Sequence, residues 1–389
     1  MSTADCGVNC EIYDVIVVGA GVQGSSTAFN IARKGHTRSL LLEQFQLGHT
    51  HGSSHGGSRI IRSSYDVQHY AEMMPEAFKL WKEIEQEAGV QLYYNTGGTF
   101  FGHPDSAIKS IICHFQQLDL PHEVLSAKEA NSRYKFLNLP NNFICVVDKS
   151  AGILAADRAV KTLQSLFIKN GGKIVDNCKV TSIHPGDVIT LKTDKEDFKT
   201  RKIVLTAGPW TSKLLVPLGL KLPLTPKLCD VYYWQVDHPE LCTIGSSSRE
   251  MGVFSQSLEK NISCYGLPSF EHPGLVKICP HRNIDFDPAN CEDRDTCPEL
   301  MEEVKQFIET YLQGVSSSPS VKECCTVTLT PDEDFILDRH PKHHNIIIGA
   351  GFSGHGFKLA PVVGRILAEL TLGLPSSHNL QPFKLTRLL

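Results

Sequence analysis

Several groups of residues along the 389-residue chain have the types and spacing to do chemistry. The first is Gly19-Ala20-Gly21-Val22-Gln23-Gly24, a complete G-x-G-x-x-G, with Glu43 lying 19 residues beyond Gly24. Gly19 permits a tight turn, Gly21 lets backbone approach a pyrophosphate, and Gly24 lets a helix pack against a strand. The helix N-terminus then favours the phosphates, and Glu43 can accept hydrogen bonds from ribose hydroxyls. An acid at that position argues against a 2′-phosphate. The second group is the Gly/Ser/His loop at residues 48–62 (GHTHGSSHGGSRIIR), which offers many backbone N–H groups and ends with Arg59 and Arg62. The third is a glycine loop at residues 349–358 (GAGFSGHGFK), where Lys358 is free to clamp a carboxylate unless it is simply a solvated lysine. Lys277 stands inside an otherwise apolar run, residues 275–279 (LVKIC). A buried ammonium there is costly unless used, and the alternative is an edge-strand lysine that blocks aggregation.

The elements that must hold these residues can be read from periodicity. Residues 13–19 (YDVIVVG) and 39–43 (SLLLE) are short and apolar on both faces, as in a buried parallel sheet. Joined by a helix over residues 25–34, they form a right-handed βαβ unit. Residues 202–206 (KIVLT), leading into Ala207-Gly208-Pro209-Trp210, and 345–349 (NIIIG) have the same character, so these four strands are expected in one parallel sheet. Asp157 is expected to cap a helix stopped by Gly171-Gly172, and a further helix is expected through residues 366–370. Residues 216–324 differ: runs 232–235, 262–265 and 275–279 are aromatic or alternating and lack intervening helices, which predicts an antiparallel sheet with one face open to a site. The nucleotide-binding part is expected at residues 12–80, 146–215 and 325–389, and a substrate domain at 81–145 and 216–324.

Composition narrows the function. Lys+Arg 38 against Asp+Glu 42 gives a net charge of −4, with 41% hydrophobic and 21% charged residues, the balance of a folded globular protein. No basic run marks a nucleic-acid surface, and no apolar stretch approaches the roughly 18 residues of a membrane span. Thirteen irregularly spaced cysteines read as free thiols in a reducing compartment. Cys6 with Cys10, and Cys291 with Cys297, lack the second pair a zinc site needs, so no metal is expected.

The joined set YDVIVVGAGVQGSS, HGSSHGGSRIIR, TAGPWTSKLL and TLTPDEDFILDRHPKHHNIIIGAGFSGHGFKLAP resembles the monomeric sarcosine oxidase family, including its animal peroxisomal branch, the L-pipecolate oxidases. The resemblance runs from about residue 12 to the end. It implies a Rossmann-like FAD-binding domain with an inserted antiparallel-sheet substrate domain, a mixed α/β fold. It also implies one FAD per chain, bonded through its 8α-methyl carbon to Cys325, with Cys324 out of register. Cofactor residues implied are Gly19, Gly21, Gly24, Glu43, Ser53, His55, Arg59, Gly208, Trp210, Cys325, Gly351, Gly354 and Lys358. Arg59 and Lys277 match the basic residues on opposite faces of the flavin ring, Lys277 being the one that activates dioxygen. Arg62 and Lys358 match the carboxylate site, and Tyr265 and His281 line the substrate pocket.

The activity so implied is oxidation of secondary amino acids (sarcosine, L-pipecolate and L-proline) to imines, with dioxygen reduced to hydrogen peroxide. Sarcosine would yield glycine and formaldehyde. Alternatives are a flavin oxidase or dehydrogenase of the same superfamily with another substrate, an NAD-dependent dehydrogenase, and a silent flavin-binding protein. An NAD enzyme would leave the second glycine loop unexplained. A monomer is implied, with no nucleic-acid or membrane partner. The family implies the peroxisome, although the chain ends Thr386-Arg387-Leu388-Leu389 rather than in an S-K-L-like tripeptide, which keeps a cytoplasmic location open.

Overall fold

The computed structural model describes residues 11–35, 37–244, 251–256, 263–290 and 295–389. Cys6, Cys10, Cys291 and Ile262, which figure in the expectations above, lie outside them.

Strand Ile12–Val18 is the centre of an eight-stranded sheet. It pairs in parallel with Ser39–Leu42 on one side and Phe198–Leu205 on the other, and Phe198–Leu205 pairs in parallel with Ile346–Ala350. The four expected strands therefore do share one sheet and run parallel within it, though antiparallel strands Val180–His184, Ile189–Thr193 and Ile336–Arg339 complete it. Both faces are buried, and alternation sends neighbours to different cores. Val15, Val17, Leu41, Val204 and Ile347 pack on one side with Phe29, Leu163 and Ile366. Ile16, Val18, Leu40, Leu205 and Ile348 pack on the other with Leu215 and Ile336. The first core is roofed by helices Val22–Ala32, Gln68–Ala88, Ala156–Lys169 and Ala360–Leu372.

A nine-stranded sheet stands beside it. Its spine, Thr225–Val236, pairs antiparallel with Leu275–Pro280 and with the long strand Val315–Leu329. Strands from earlier in the chain, Gly98–Gly102, His122–Ser126 and Ile144–Asp148, join the same sheet. One junction departs from the expected antiparallel pattern: Val253–Gln256 runs parallel to Gly98–Gly102. Val315–Leu329 stays in this sheet to its end, so Cys325 belongs to it rather than opening the return to the first sheet. A small third sheet of Tyr93–Asn95, Ser58–Ile61 and Gly152–Ala155 bridges the two.

Two local expectations shift. Asp157 is not the cap of its helix: Ala155 holds that position and Asp157 lies in the first turn, its amide bonded to the Gly56 carbonyl. Leu275–Pro280 has neighbours on both sides, so Lys277 is on an interior strand and the edge-strand alternative falls.

Candidate active site

A cavity of about 930 Å³ opens between the two large sheets. This is near the top of the ~300–1,000 Å³ range of small-molecule and cofactor sites. All the residues singled out for chemistry line it except Gly24. Gly24 is a packing residue, because an added Cβ would lie 1.8 Å from the Gly19 carbonyl oxygen and 2.6 Å from Thr206 Oγ1.

At one end the Gly19 turn has φ +99°, and helix Val22–Ala32 begins at Gly21 with no side-chain cap. Its first turn is left open to the cavity apart from Ser54, whose hydroxyl accepts the Val22 N–H at 3.0 Å. Glu43 is 6% exposed; its two carboxylate oxygens accept the Ala20 N–H at 2.8 Å and the Phe45 N–H at 3.1 Å. Ribose hydroxyls would therefore use the remaining lone pairs. Trp210 packs edge-on to Phe45, which also meets His49 and His51, giving this end an aromatic wall. Gly208, Gly351 and Gly354 take positive φ (+53°, +65° and +79°) as the chain turns along the cavity. Open amides, an acid at the strand end and an aromatic wall fit a dinucleotide, so the residues present suit FAD.

Midway, Arg59 is held by carbonyls. It donates to His55 O at 2.5 Å, Ser58 O at 2.9 Å and Ser53 O at 3.3 Å, and its Nη2 also lies 3.5 Å from Cys325 Sγ. Ser53 Oγ meets Thr326 Oγ1 at 3.3 Å and His55 Nδ1 meets Gly52 O at 2.8 Å, which fixes the loop against the Cys325 strand. Lys277 is 5% exposed and donates to Glu271 Oε1 at 3.2 Å, with the Tyr233 ring 5.3 Å away. Sequence reasoning missed Glu271, which sits in a turn whose pattern carries no sign of a site.

At the far end Arg62 and Lys358 converge on Tyr65. The Arg62 guanidinium is 4.6 Å and the Lys358 ammonium 5.6 Å from its ring centre. Lys358 is buried at 7% exposure in the short turn Phe357–Leu359, so the solvated-lysine alternative falls. Its hydrogen bond goes to the His355 carbonyl, that of Arg62 to Ser64 Oγ, and among the described residues neither makes an ion pair. Burial, reinforced by Arg62, pushes the Lys358 pKa well down. An anion seated between the two would reverse that cost.

His281 and Tyr265 face the same space, their ring centres 5.1 Å apart. Burial, then the charge of Arg62, lowers His281 to about 4. Its imidazole is therefore neutral near pH 7, with Nδ1 2.7 Å from Ser263 Oγ. Burial raises the Tyr265 hydroxyl well above its ordinary value. Among the described residues no cluster of His, Cys, Asp or Glu could hold a metal ion, and no helix is long and apolar enough to cross a membrane.

Comparison with known proteins places this geometry. Residues 14–370 match the model of the FAD dependent oxidoreductase (DAO) family. The chain is 42% identical to the peroxisomal sarcosine oxidase of Mus musculus over 385 residues, 97% of this chain and 96% of the relative. It is 33% identical to the monomeric sarcosine oxidase of Bacillus sp. (strain NS-129) over 386 residues, 96% and 97% of the two chains. Among solved structures, the open form of NikD, an unusual amino acid oxidase essential for nikkomycin biosynthesis, superposes with a TM-score of 0.83 at 24% identity, over 96% of this chain and 97% of that one.

Proposed function

Given that the chain belongs to the FAD dependent oxidoreductases and, within them, to the sarcosine oxidases, we propose that it oxidises secondary amino acids at the C–H bond next to nitrogen. Sarcosine, L-pipecolate and L-proline are the substrates proposed. FAD, when bound, takes up the hydride equivalent and returns the electrons to dioxygen, giving hydrogen peroxide. The resulting imine is hydrolysed by water, which for sarcosine yields glycine and formaldehyde.

The observation that carries this reading is the pair of cations around Tyr65, neither of which makes an ion pair among the described residues. Arg62 and Lys358 receive the substrate carboxylate, which orients the molecule along the cavity. Neutral His281 and un-ionised Tyr265 line the space for the amine without adding charge to it. Gly19, Gly21, Glu43, Ser53, His55, Gly208, Trp210, Gly351 and Gly354 hold the dinucleotide, and Cys325 supplies the thiol for a thioether to the flavin. Lys277 supplies positive charge to the step in which dioxygen gains electrons. We further propose a monomer of two domains, divided as expected from sequence except that strands Ile144–Asp148 and Val315–Leu329 go whole to the substrate domain, and a peroxisomal location like that in the name of the mouse relative.

Anaerobic titration tests the activity. Sarcosine or L-pipecolate should bleach the visible flavin band of the purified protein. A band that no secondary amino acid bleaches would contradict the reading.

A further inference from the structure

Behind Lys277 lies a carboxylate that the scheme above does not use. Glu271 sits in the turn between strands Cys264–Pro268 and Leu275–Pro280. Lys277 is in the cavity wall and Glu271 is behind it. Glu271 Oε1 accepts from Lys277 Nζ at 3.2 Å and the Ser58 N–H at 3.0 Å, while the Tyr233 hydroxyl, 3.4 Å away, lies nearer Glu323 Oε2 at 3.1 Å. Oε2 accepts from Ser58 Oγ at 2.6 Å and Ser269 Oγ at 2.8 Å. Four donors thus converge on a group with about four lone-pair sites. The carboxylate also presses on the loop backbone, since an added Cβ on Gly57 would lie 2.8 Å from Glu271 Cγ. Burial alone would raise the Glu271 carboxyl, but Lys277 and the serine hydroxyls outweigh it and hold the group well below the usual carboxylate range.

The lysine and glutamate side chains are 7% and 13% exposed, so water is a poor substitute for either partner. A buried pair of this kind is weak evidence for stability, because apolar packing serves as well. Removing one member is different: it leaves an uncompensated buried charge. The Tyr233 ring is too weak a partner to replace a carboxylate. Without Glu271 the ammonium would lose its ion-pair partner and be free to swing out of the wall.

We propose that Glu271 is a positioning residue: it keeps the Lys277 ammonium aimed into the cavity, and through Ser58 it ties the strand bearing Arg59 to the same point. The inference rests on the reading of Lys277 as the cation that serves dioxygen.

Stopped-flow kinetics of the two half-reactions, with the flavin midpoint potential, test both in the holoenzyme. Lys277→Met should slow reoxidation by at least about 100-fold while anaerobic reduction by substrate changes little. Normal reoxidation there would overturn the reading of Lys277 itself. With Lys277→Met slow, Glu271→Gln should slow reoxidation at least about tenfold and shift the potential negative, as Lys277→Met does, because positive charge leaves the cavity. The double variant should be no slower than Lys277→Met alone. Glu271→Asp, which keeps the charge one carbon shorter, should fall between wild type and Glu271→Gln on both readouts. Should Glu271→Gln fail to hold flavin, Glu271→Asp must still fall between wild type and Lys277→Met. Wild-type reoxidation and potential in the glutamate variants, or a double variant that loses both effects in full, would overturn the role of Glu271.

Discussion

One guanidinium nitrogen of Arg59 lies 3.5 Å from the sulfur of Cys325, although 266 positions separate the two in the chain. The loop of residues 48–62 and the strand Val315–Leu329 meet at this point, on the wall of the cofactor cavity. This is where the thioether proposed above would join the flavin to the chain. Cys325→Ser should therefore release flavin to the supernatant on acid precipitation, whereas Cys324→Ser should keep it in the pellet. The opposite pattern would show that the neighbouring thiol makes the bond.

Arg62 and Lys358 should act on substrate affinity rather than on dioxygen. Truncating one partner of a buried charge-to-carboxylate contact costs about 2–5 kcal/mol, at least roughly 30-fold in affinity. Arg62→Met and Lys358→Met are each expected to raise the substrate concentration needed for half-maximal anaerobic reduction by that factor. Reoxidation of the reduced enzyme should stay within about threefold of wild type. Unchanged affinity in both variants would remove the carboxylate site from this end of the cavity.

Gly24 carries a steric prediction. A methyl group there would collide with the Gly19 carbonyl oxygen at 1.8 Å, a backbone atom that cannot swing aside as a side chain can. Gly24→Ala should cost more than the ~1–3 kcal/mol of ordinary overpacking and open the turn that faces the phosphates. The flavin-to-protein ratio and the melting temperature should both fall. A fully loaded, equally stable variant would show that the helix can move away without loss.

His340 predicts an acid-side loss of stability away from the site. It is fully buried, its Nδ1 accepts the Lys342 and His343 N–H groups at 3.2 Å each, and burial, then His343 and Lys342, lower it to about 4. The unfolded chain, with a histidine near 6.5, binds a proton that the folded chain refuses between those values. Stability should therefore be complete above about pH 6.5 and fall as pH drops towards 4, by up to ~3 kcal/mol from this group. His340→Asn should flatten the fall in melting temperature between pH 6.5 and 4.5. An unchanged slope would assign the loss to other groups.

The parallel sheet and its glycine turn were legible because they rest on local rules. Strands buried on both faces must be apolar at successive positions, and Val15 to Val18 divide between two cores as that rule requires. What sequence could not supply was partnership across the chain. Glu271 reads as one more acid in a turn until Ser58, 213 positions away, is brought to it. Lys358 reads as a solvated lysine until the turn Phe357–Leu359 buries it beside Arg62. The parallel pairing of Gly98–Gly102 with Val253–Gln256 follows from how the two halves of the sheet meet, which no local period records. Asp157 failed as a cap because the helix starts two residues earlier, a shift within the ordinary uncertainty of helix ends.

The most direct test of the account is the stoichiometry of peroxide release. Purified, flavin-loaded protein mixed with sarcosine or L-pipecolate in air-saturated buffer should consume one dioxygen and release one hydrogen peroxide per amino acid oxidised, with sarcosine giving equimolar glycine and formaldehyde. Turnover that needs NAD, or no peroxide from any secondary amino acid while the flavin is in place, would contradict it.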